Sequence, residues 1–135
     1  MRVVVDTNVL ISGILWEGNE SKILRLCKTN ELTNVISPSM IKELERVMSS
    51  EKFILTEREV NDVLELVLSF SATVFPTIKI DVIKSDPSDN MILESAVEGK
   101  ADYIVSGDKH LLNIKKYENI PILNAKDMLK ILQSQ

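Results

Sequence analysis

Short β-branched runs alternate along this chain with longer stretches in which apolar residues recur every three or four positions. Val3-Val4-Val5 follows Arg2 and stops abruptly at Asp6, the pattern of a short buried strand. Val9 to Leu15 is apolar and helix-compatible, with Gly13 and Gly18 punctuating its exit, and Ile23, Leu24, Leu26 and Cys27 lie on helical spacing between Glu20 and Lys28. Thr33 to Ile36 reads as a second strand. Ser37-Pro38 then opens a helix, with proline near the first position, where no donor is lost. Its apolar stripe is Ile41, Leu44, Val47 and Met48, and Glu43 and Glu45 flank that stripe on opposite sides, each about 100° from its centre. Periodicity does not choose between the two acids.

Thr56 to Glu59 matches a capping box, and the helix it opens runs through Val60, Val63, Leu64, Val67 and Leu68 to about Phe70. A third apolar stretch, Thr73 to Phe75, counts as a strand and closes at Pro76. Ile78 to Pro87 reads as a loop or edge segment leading into the Asp86-to-Asn90 turn. Met91, Ile92, Ser95 and Ala96 suggest a packed helix from Asp89 to Glu98, ended by Gly99 at the C′ position. Tyr103 to Val105 is a fourth strand, Lys109 to Leu112 a short helix, and Ile120 to Leu123 a fifth strand. Asn124 is placed to cap a last helix whose core face is Met128, Leu129 and Leu132. Strands alternating with helices predict an α/β fold, three layers deep (α/β/α), around a central parallel sheet of about four to five strands. With 135 residues and no repeat, linker or low-complexity segment, residues 1–135 are expected to form a single domain.

Composition adds boundaries. The apolar fraction of 44% and charged fraction of 27% are those of a soluble globular protein. The longest apolar run, around Val63 to Val67, is broken by Glu65 and falls far short of a membrane span. The segment before Asp6 is too short for a secretory signal. Cys27, the single cysteine, excludes an internal disulfide, points to a reducing cytoplasmic setting, and reads as a core thiol with no basic or histidine partner nearby. The net charge of −4 is unlike that of a nonspecific nucleic-acid binder, which neutralises phosphates with a basic face. Lysines do gather late, at Lys100, Lys109, Lys115, Lys116, Lys126 and Lys130, with Lys109 best placed to meet a phosphate.

Four acids change the picture. Asp6 and Asp108 follow strands, and Asp89 and Glu43 lie in the first turns of helices. In an α/β protein the carboxyl ends of parallel strands point into one crevice, where ligands bind. Carboxylates gathered there repel one another unless a hard cation sits between them, and Mg²⁺ or Mn²⁺ suits oxygen ligands and phosphate substrates. Each acid also has a plainer reading. A cap or a solvated carboxylate accounts for any one of them, and Asp89 in particular could cap its helix through Met91 or Ile92. Asp6 resists that reading, because an acid directly after a buried strand is costly without donors or a cation. For Asp86, forming the turn before Pro87 is a sufficient role.

Val-Val-Val-Asp-Thr-Asn-Val-Leu-Ile-Ser near the start, Ser-Pro-Ser-Met-Ile-Lys-Glu-Leu in the middle, Asp-Pro-Ser-Asp-Asn-Met-Ile-Leu, and Ala-Asp-Tyr-Ile-Val-Ser-Gly-Asp-Lys-His-Leu-Leu together resemble the PIN-domain nucleases. The likeness is to the small stand-alone prokaryotic branch of toxin–antitoxin toxins, the relatives of VapC, and covers almost the whole chain. It implies a metal-dependent endoribonuclease with Asp6, Glu43, Asp89 and Asp108 as catalytic metal ligands for Mg²⁺ or Mn²⁺. It also assigns Asn8 and Ser106 supporting roles, and leaves Glu45 on the surface. Products with a 5′-phosphate and a 3′-hydroxyl, an RNA substrate, a small antitoxin partner and a homodimer follow from the same likeness. His110, the only histidine, is expected at the surface, since metal–water chemistry needs no imidazole. Trp16 is expected in an interface or core.

Two other classes compete. A catalytically silent PIN scaffold that binds RNA or a protein would be expected to have lost acids, and all four are present. An RNA-processing nuclease without an antitoxin stays open. A phosphatase-like domain would carry a second acid two residues after Asp6, where Asn8 stands, and a receiver-like domain would pair adjacent acids after its first strand.

Overall fold

In the computed structural model, which describes residues 1–134, strands β1 (Arg2–Val5) and β4 (Tyr103–Val105) lie side by side at the centre of a six-stranded sheet. To one side of β1 stand β2 (Thr33–Ile36) and β3 (Ser71–Thr73), and beyond β4 stand β6 (Ile120–Leu123) and then β5 (Lys116–Tyr117). All neighbours pair in parallel except β5 and β6. Val3, Val4, Val5, Val35, Ile36, Ile104 and Val105 have no exposed surface, the continuous apolar pattern of strands covered on both faces. Helices supply that cover: α1 (Thr7–Leu15), α2 (Asn19–Lys28) and α7 (Ala125–Gln133) pack together, while α5 (Asn90–Glu98) lies against β1, β2 and β4. Helix α3 (Pro38–Met48) touches both α1 and α5, α4 (Glu57–Ser69) follows it into β3, and α6 (Lys109–Ile114) packs on β6. None of the described helices is long and apolar enough to cross a membrane.

Three expectations shift. The sheet has six strands because Lys116–Tyr117 pairs antiparallel with Tyr117 opposite Ile120, through a two-residue turn in which Glu118 and Asn119 both have positive φ. That is the backbone a tight hairpin requires, but Glu-Asn is a weaker signal for it than Asn-Gly, and two residues show no alternation. The third strand is Ser71–Thr73, not Thr73–Phe75. Ser71 receives a 2.8 Å hydrogen bond from the buried Asn34, and Phe75 is 70% exposed. Gly99 ends α5 at φ −82°, and the following Lys100 takes the left-handed turn at φ 50°. A glycine is needed at 99 for space: a Cβ there would sit 2.5 Å from Val35 Cγ1.

The segment after β3 is irregular but tied down. Asn90, Glu94 and Glu98 repeat every four residues along α5 and accept backbone hydrogen bonds from it. Thr77 N–H reaches Glu98 (3.2 Å), Ile80 N–H reaches Glu94 (2.8 Å), and Val82 and Ile83 N–H both reach Asn90 Oδ1 (3.1 and 2.9 Å). Asn90 Nδ2 returns a bond to Ile83 C=O (2.9 Å). This row of acceptors fixes the strap that delivers Asp86 and Asp89.

Candidate active site

After β1 the chain winds outward through β2 to β3, and later returns to place β4 on the opposite side of β1. The reversal opens a crevice beyond the carboxyl ends of β1 and β4, where an α/β sheet binds its ligands. Asp6 is the first residue past β1. Its N–H donates to Val105 C=O (2.9 Å), so the backbone is locked to β4 as it leaves the sheet. The side chain is 5% exposed, with Oδ2 accepting a 2.7 Å bond from Ser106 Oγ and Oδ1 a longer one, 3.4 Å, from Thr7 Oγ1. Burial pushes its pKa above the usual carboxylate range; Ser106, the Asn8 N–H and Thr7 pull the other way, and the Asp108 charge adds to the rise.

Ser106 is fully buried and joins two acids, because its Oγ also accepts the Asp108 N–H at 3.0 Å. Asp108 caps α6 through the His110 N–H (2.7 Å to Oδ1). From the opposite wall, Asp86 Oδ1 accepts from Ser88 N–H (3.2 Å) and Ser88 Oγ (2.6 Å), tightening the 3-10 turn Pro87–Asp89. Asp89 at the end of that turn is 7% exposed, and its side chain makes no cap to α5. Its Oδ2 is buried without a hydrogen-bond partner. Burial first, then the charges of Asp108, Asp86 and Asp6, lift Asp89 to a pKa of about 7.

Glu43 arrives on α3. Met40, Leu44 and Met48 are the fully buried face of this helix, with Ile41 and Val47 at its margins. The stripe is therefore centred nearer Met40 than the sequence pattern suggests, which brings Glu43 beside the crevice and leaves Glu45 exposed. Ser37 caps α3, and its Oγ accepts a buried 2.8 Å bond from Ser95 of α5, fixing the helix of Glu43 against the helix after Asp89. Both Glu43 carboxylate oxygens pair with Arg46, at 2.6 Å from Nη2 and 3.1 Å from Nε.

The structure thus brings Asp6, Glu43, Asp89 and Asp108 to one cleft of about 60 Å³, with Asn8 and Asp86 also on its wall. That volume holds a few waters or an ion with its ligands, not a nucleotide. Ser106 stands behind Asp6 as a support. Lys109 is exposed and does not line the cleft. Arg46 escaped the sequence reading, although it had a usable signal, an i, i+3 spacing from Glu43 on one helix. His110 is exposed, as expected, but only the fold shows that its ring lies 3.4 Å from Asp108.

A divalent cation suits this donor set. The groups are carboxylate oxygens, Asp89 among them has its pKa raised to about 7, and its Oδ2 is a buried acceptor with nothing to accept from. A hard ion would answer both the repulsion and the missing partner.

Residues 2–110, a span that includes all four acids, match the PIN domain. The chain belongs to the PIN-domain family. It is 32% identical over 133 residues to the uncharacterized protein MJ1680 of Methanocaldococcus jannaschii, across 93% of this chain and 84% of that protein. The fold of this PIN domain is similar to a chain of VapBC2 from Rickettsia felis, solved bound to a DNA fragment from their promoter (TM-score 0.64, 19% identity, 92% of this chain and 98% of that one). It is also similar to PAE2754 from Pyrobaculum aerophilum (TM-score 0.62, 15% identity, 99% and 90%). Membership implies a nuclease, a hydrolase of phosphodiester bonds, of a kind that generally uses divalent metal.

Proposed function

We propose that this PIN domain is a Mg²⁺- or Mn²⁺-dependent endoribonuclease and the toxin of a toxin–antitoxin pair. The observation that carries the reading is the convergence of Asp6, Glu43, Asp89 and Asp108 on one small cleft with a buried, unpartnered Asp89 oxygen. When bound, the cation lowers the pKa of a water, neutralises a nonbridging phosphate oxygen and stabilises the leaving alkoxide. Asp6 and Asp89 would hold it, with Glu43 completing the set directly or through water and Asp108 holding a second ion or orienting the attacking water. Ser106 and the Asn8 N–H aim the Asp6 carboxylate and offset part of the rise in its pKa that burial causes. Water adds to phosphorus as the bond to the 3′ oxygen breaks, leaving a 5′-phosphate and a 3′-hydroxyl.

Recognition of the RNA falls to the rim of the cleft. Arg46, paired with Glu43, and the exposed Lys109, one residue beyond Asp108, are the two cations we assign to it. An acidic cleft also suits a basic plug: a partner's arginine pairs bidentately with carboxylates, and a small antitoxin would inhibit in that way. A cytoplasmic homodimer of this single domain is the assembly the reading favours.

The test is cleavage of a panel of tRNA, rRNA fragments and single-stranded RNA with and without Mg²⁺ or Mn²⁺, using Asp6→Asn purified identically. Cleavage that needs metal and vanishes in the variant is expected. Equal activity in both proteins would mean contamination. Metal bound without any cleavage would turn the reading toward a binding scaffold.

A further inference from the structure

We propose that His110 is a ligand of the divalent cation, so that this PIN domain carries a mixed oxygen–nitrogen site. The inference rests on the metal-dependent reading above and extends it. One ligand atom each from Asp89, Asp108 and His110 lie within 4.8 Å of one another. Adjacent ligands of an octahedral ion of this size are about 3 Å apart and opposed ones about 4 Å apart. A small contraction around an ion therefore brings all three into contact with it. Within the trio, His110 Nδ1 already stands 3.4 Å from Asp108 Oδ1.

The second, independent observation is Asp89 Oδ2. It belongs to a side chain more than nine-tenths buried and makes no hydrogen bond, and Asp89 is a member of this same trio. The local fold holds the backbone of His110 in place. Asp108 Oδ1 takes the His110 N–H at 2.7 Å, which fixes the histidine backbone to the acid, and the next residue, Leu111, is fully buried as the anchor of α6. The imidazole itself is half-exposed and stands behind Asp108, outside the lining of the cleft, where it can turn onto an ion without disturbing the core.

An imidazole ligand has a chemical consequence. It favours later first-row ions over Mg²⁺, which prefers an all-oxygen shell. The site is thus expected to bind Mn²⁺ or Co²⁺ more tightly than Mg²⁺. His110→Gln should weaken Mn²⁺ and Co²⁺ by about tenfold or more, the scale on which even outer-shell partners matter, and weaken Mg²⁺ much less.

The decisive experiment is electron spin echo modulation of Mn²⁺ bound to the tag-free protein. The chain has one histidine, so an imidazole ¹⁴N coupling has one source. The expected result is that coupling in the wild type and its loss in His110→Gln, with Mn²⁺ still bound. Bound Mn²⁺ with no imidazole coupling in the wild type would overturn the His110 assignment and leave the metal-dependent reading standing. Failure of the wild type to bind Mn²⁺ at all would overturn both.

Discussion

Ser106 Oγ donates a 2.7 Å hydrogen bond to Asp6 Oδ2 across 100 residues of sequence, while accepting the Asp108 N–H at 3.0 Å. One hydroxyl thus sets the orientation of the acid after β1 and of the loop after β4. Ser106→Ala would leave a buried carboxylate oxygen short of a donor, a loss on the scale of about 1–3 kcal/mol for the metal-free protein. We expect a lower melting temperature without metal, recovered in large part by saturating Mn²⁺. Mn²⁺ affinity by calorimetry should fall by about 10–100-fold, as for other groups that orient ligands.

Asp89 sets a pH dependence whose sign follows from its raised pKa. The folded state holds the proton up to about pH 7, whereas a free carboxylate releases it near 3.8. The stability this contributes is complete below the lower value and is lost as pH rises through the higher one. Asp6, also raised, acts in the same direction. The metal-free protein should therefore melt at a lower temperature at pH 8 than at pH 5.5. A cation must displace the Asp89 proton, so the thermal shift produced by Mn²⁺ should be larger at pH 8 than at pH 6. Asp89→Asn should flatten the metal-free profile and abolish most of the Mn²⁺ shift.

These two relationships mark what could and could not be read from the chain. The strands β1, β2, β4 and β6 and the helices between them were legible because each is a run whose apolar period matches its environment. Asp6 could be singled out because a carboxylate immediately past Val3-Val4-Val5 is costly unless partnered. The partner itself, Ser106, carries no local pattern linking it to Asp6. Glu43 and Glu45 were equivalent by periodicity, and it is the docking of α3 through Met40 that separates them. The β5–β6 hairpin and the true bounds of β3 were hidden for a related reason: two or three residues whose role is set by a neighbouring strand leave almost no periodic trace.

Arg46 occupies both oxygens of Glu43 through an exposed guanidinium, so a cation that binds Glu43 must displace it. Arg46→Ala should raise Mn²⁺ affinity, by up to about fivefold given the small worth of exposed pairs. If the guanidinium then turns to the RNA backbone, the same variant should raise KM for RNA while leaving kcat near its original value. An unchanged metal affinity in calorimetry would show that Arg46 and the ion do not compete for Glu43, as when Glu43 acts through water.

Asn90 spends its whole side chain on the strap that carries Asp86 and Asp89, through two accepted bonds and one donated bond with the backbone of Val82 and Ile83. Asn90 and Ile83 are both buried, so water cannot readily replace those bonds. Asn90→Ala should cost about 2–4 kcal/mol, read as a shift in the denaturation midpoint. Amide exchange at Val82 and Ile83 should accelerate more than exchange in β1, because the loss is local to the strap.

Gly99 and Val35 supply a test of packing that is independent of the chemistry. Gly99 has an ordinary negative φ, so alanine there meets no backbone strain, only the Val35 side chain at 2.5 Å and the Ser95 carbonyl at 3.0 Å. Val35 lies in β2 with no exposed surface and cannot turn aside freely. Gly99→Ala should therefore destabilise by overpacking, about 1–3 kcal/mol. Val35→Ala alone should destabilise by opening a cavity. In the double variant the added methyl and the vacated space meet, so the combined loss should be smaller than the sum of the two. Strict additivity in a urea-unfolding cycle would mean that α5 shifts as a body instead of pressing on β2, and Asp89 at its head would then move as well.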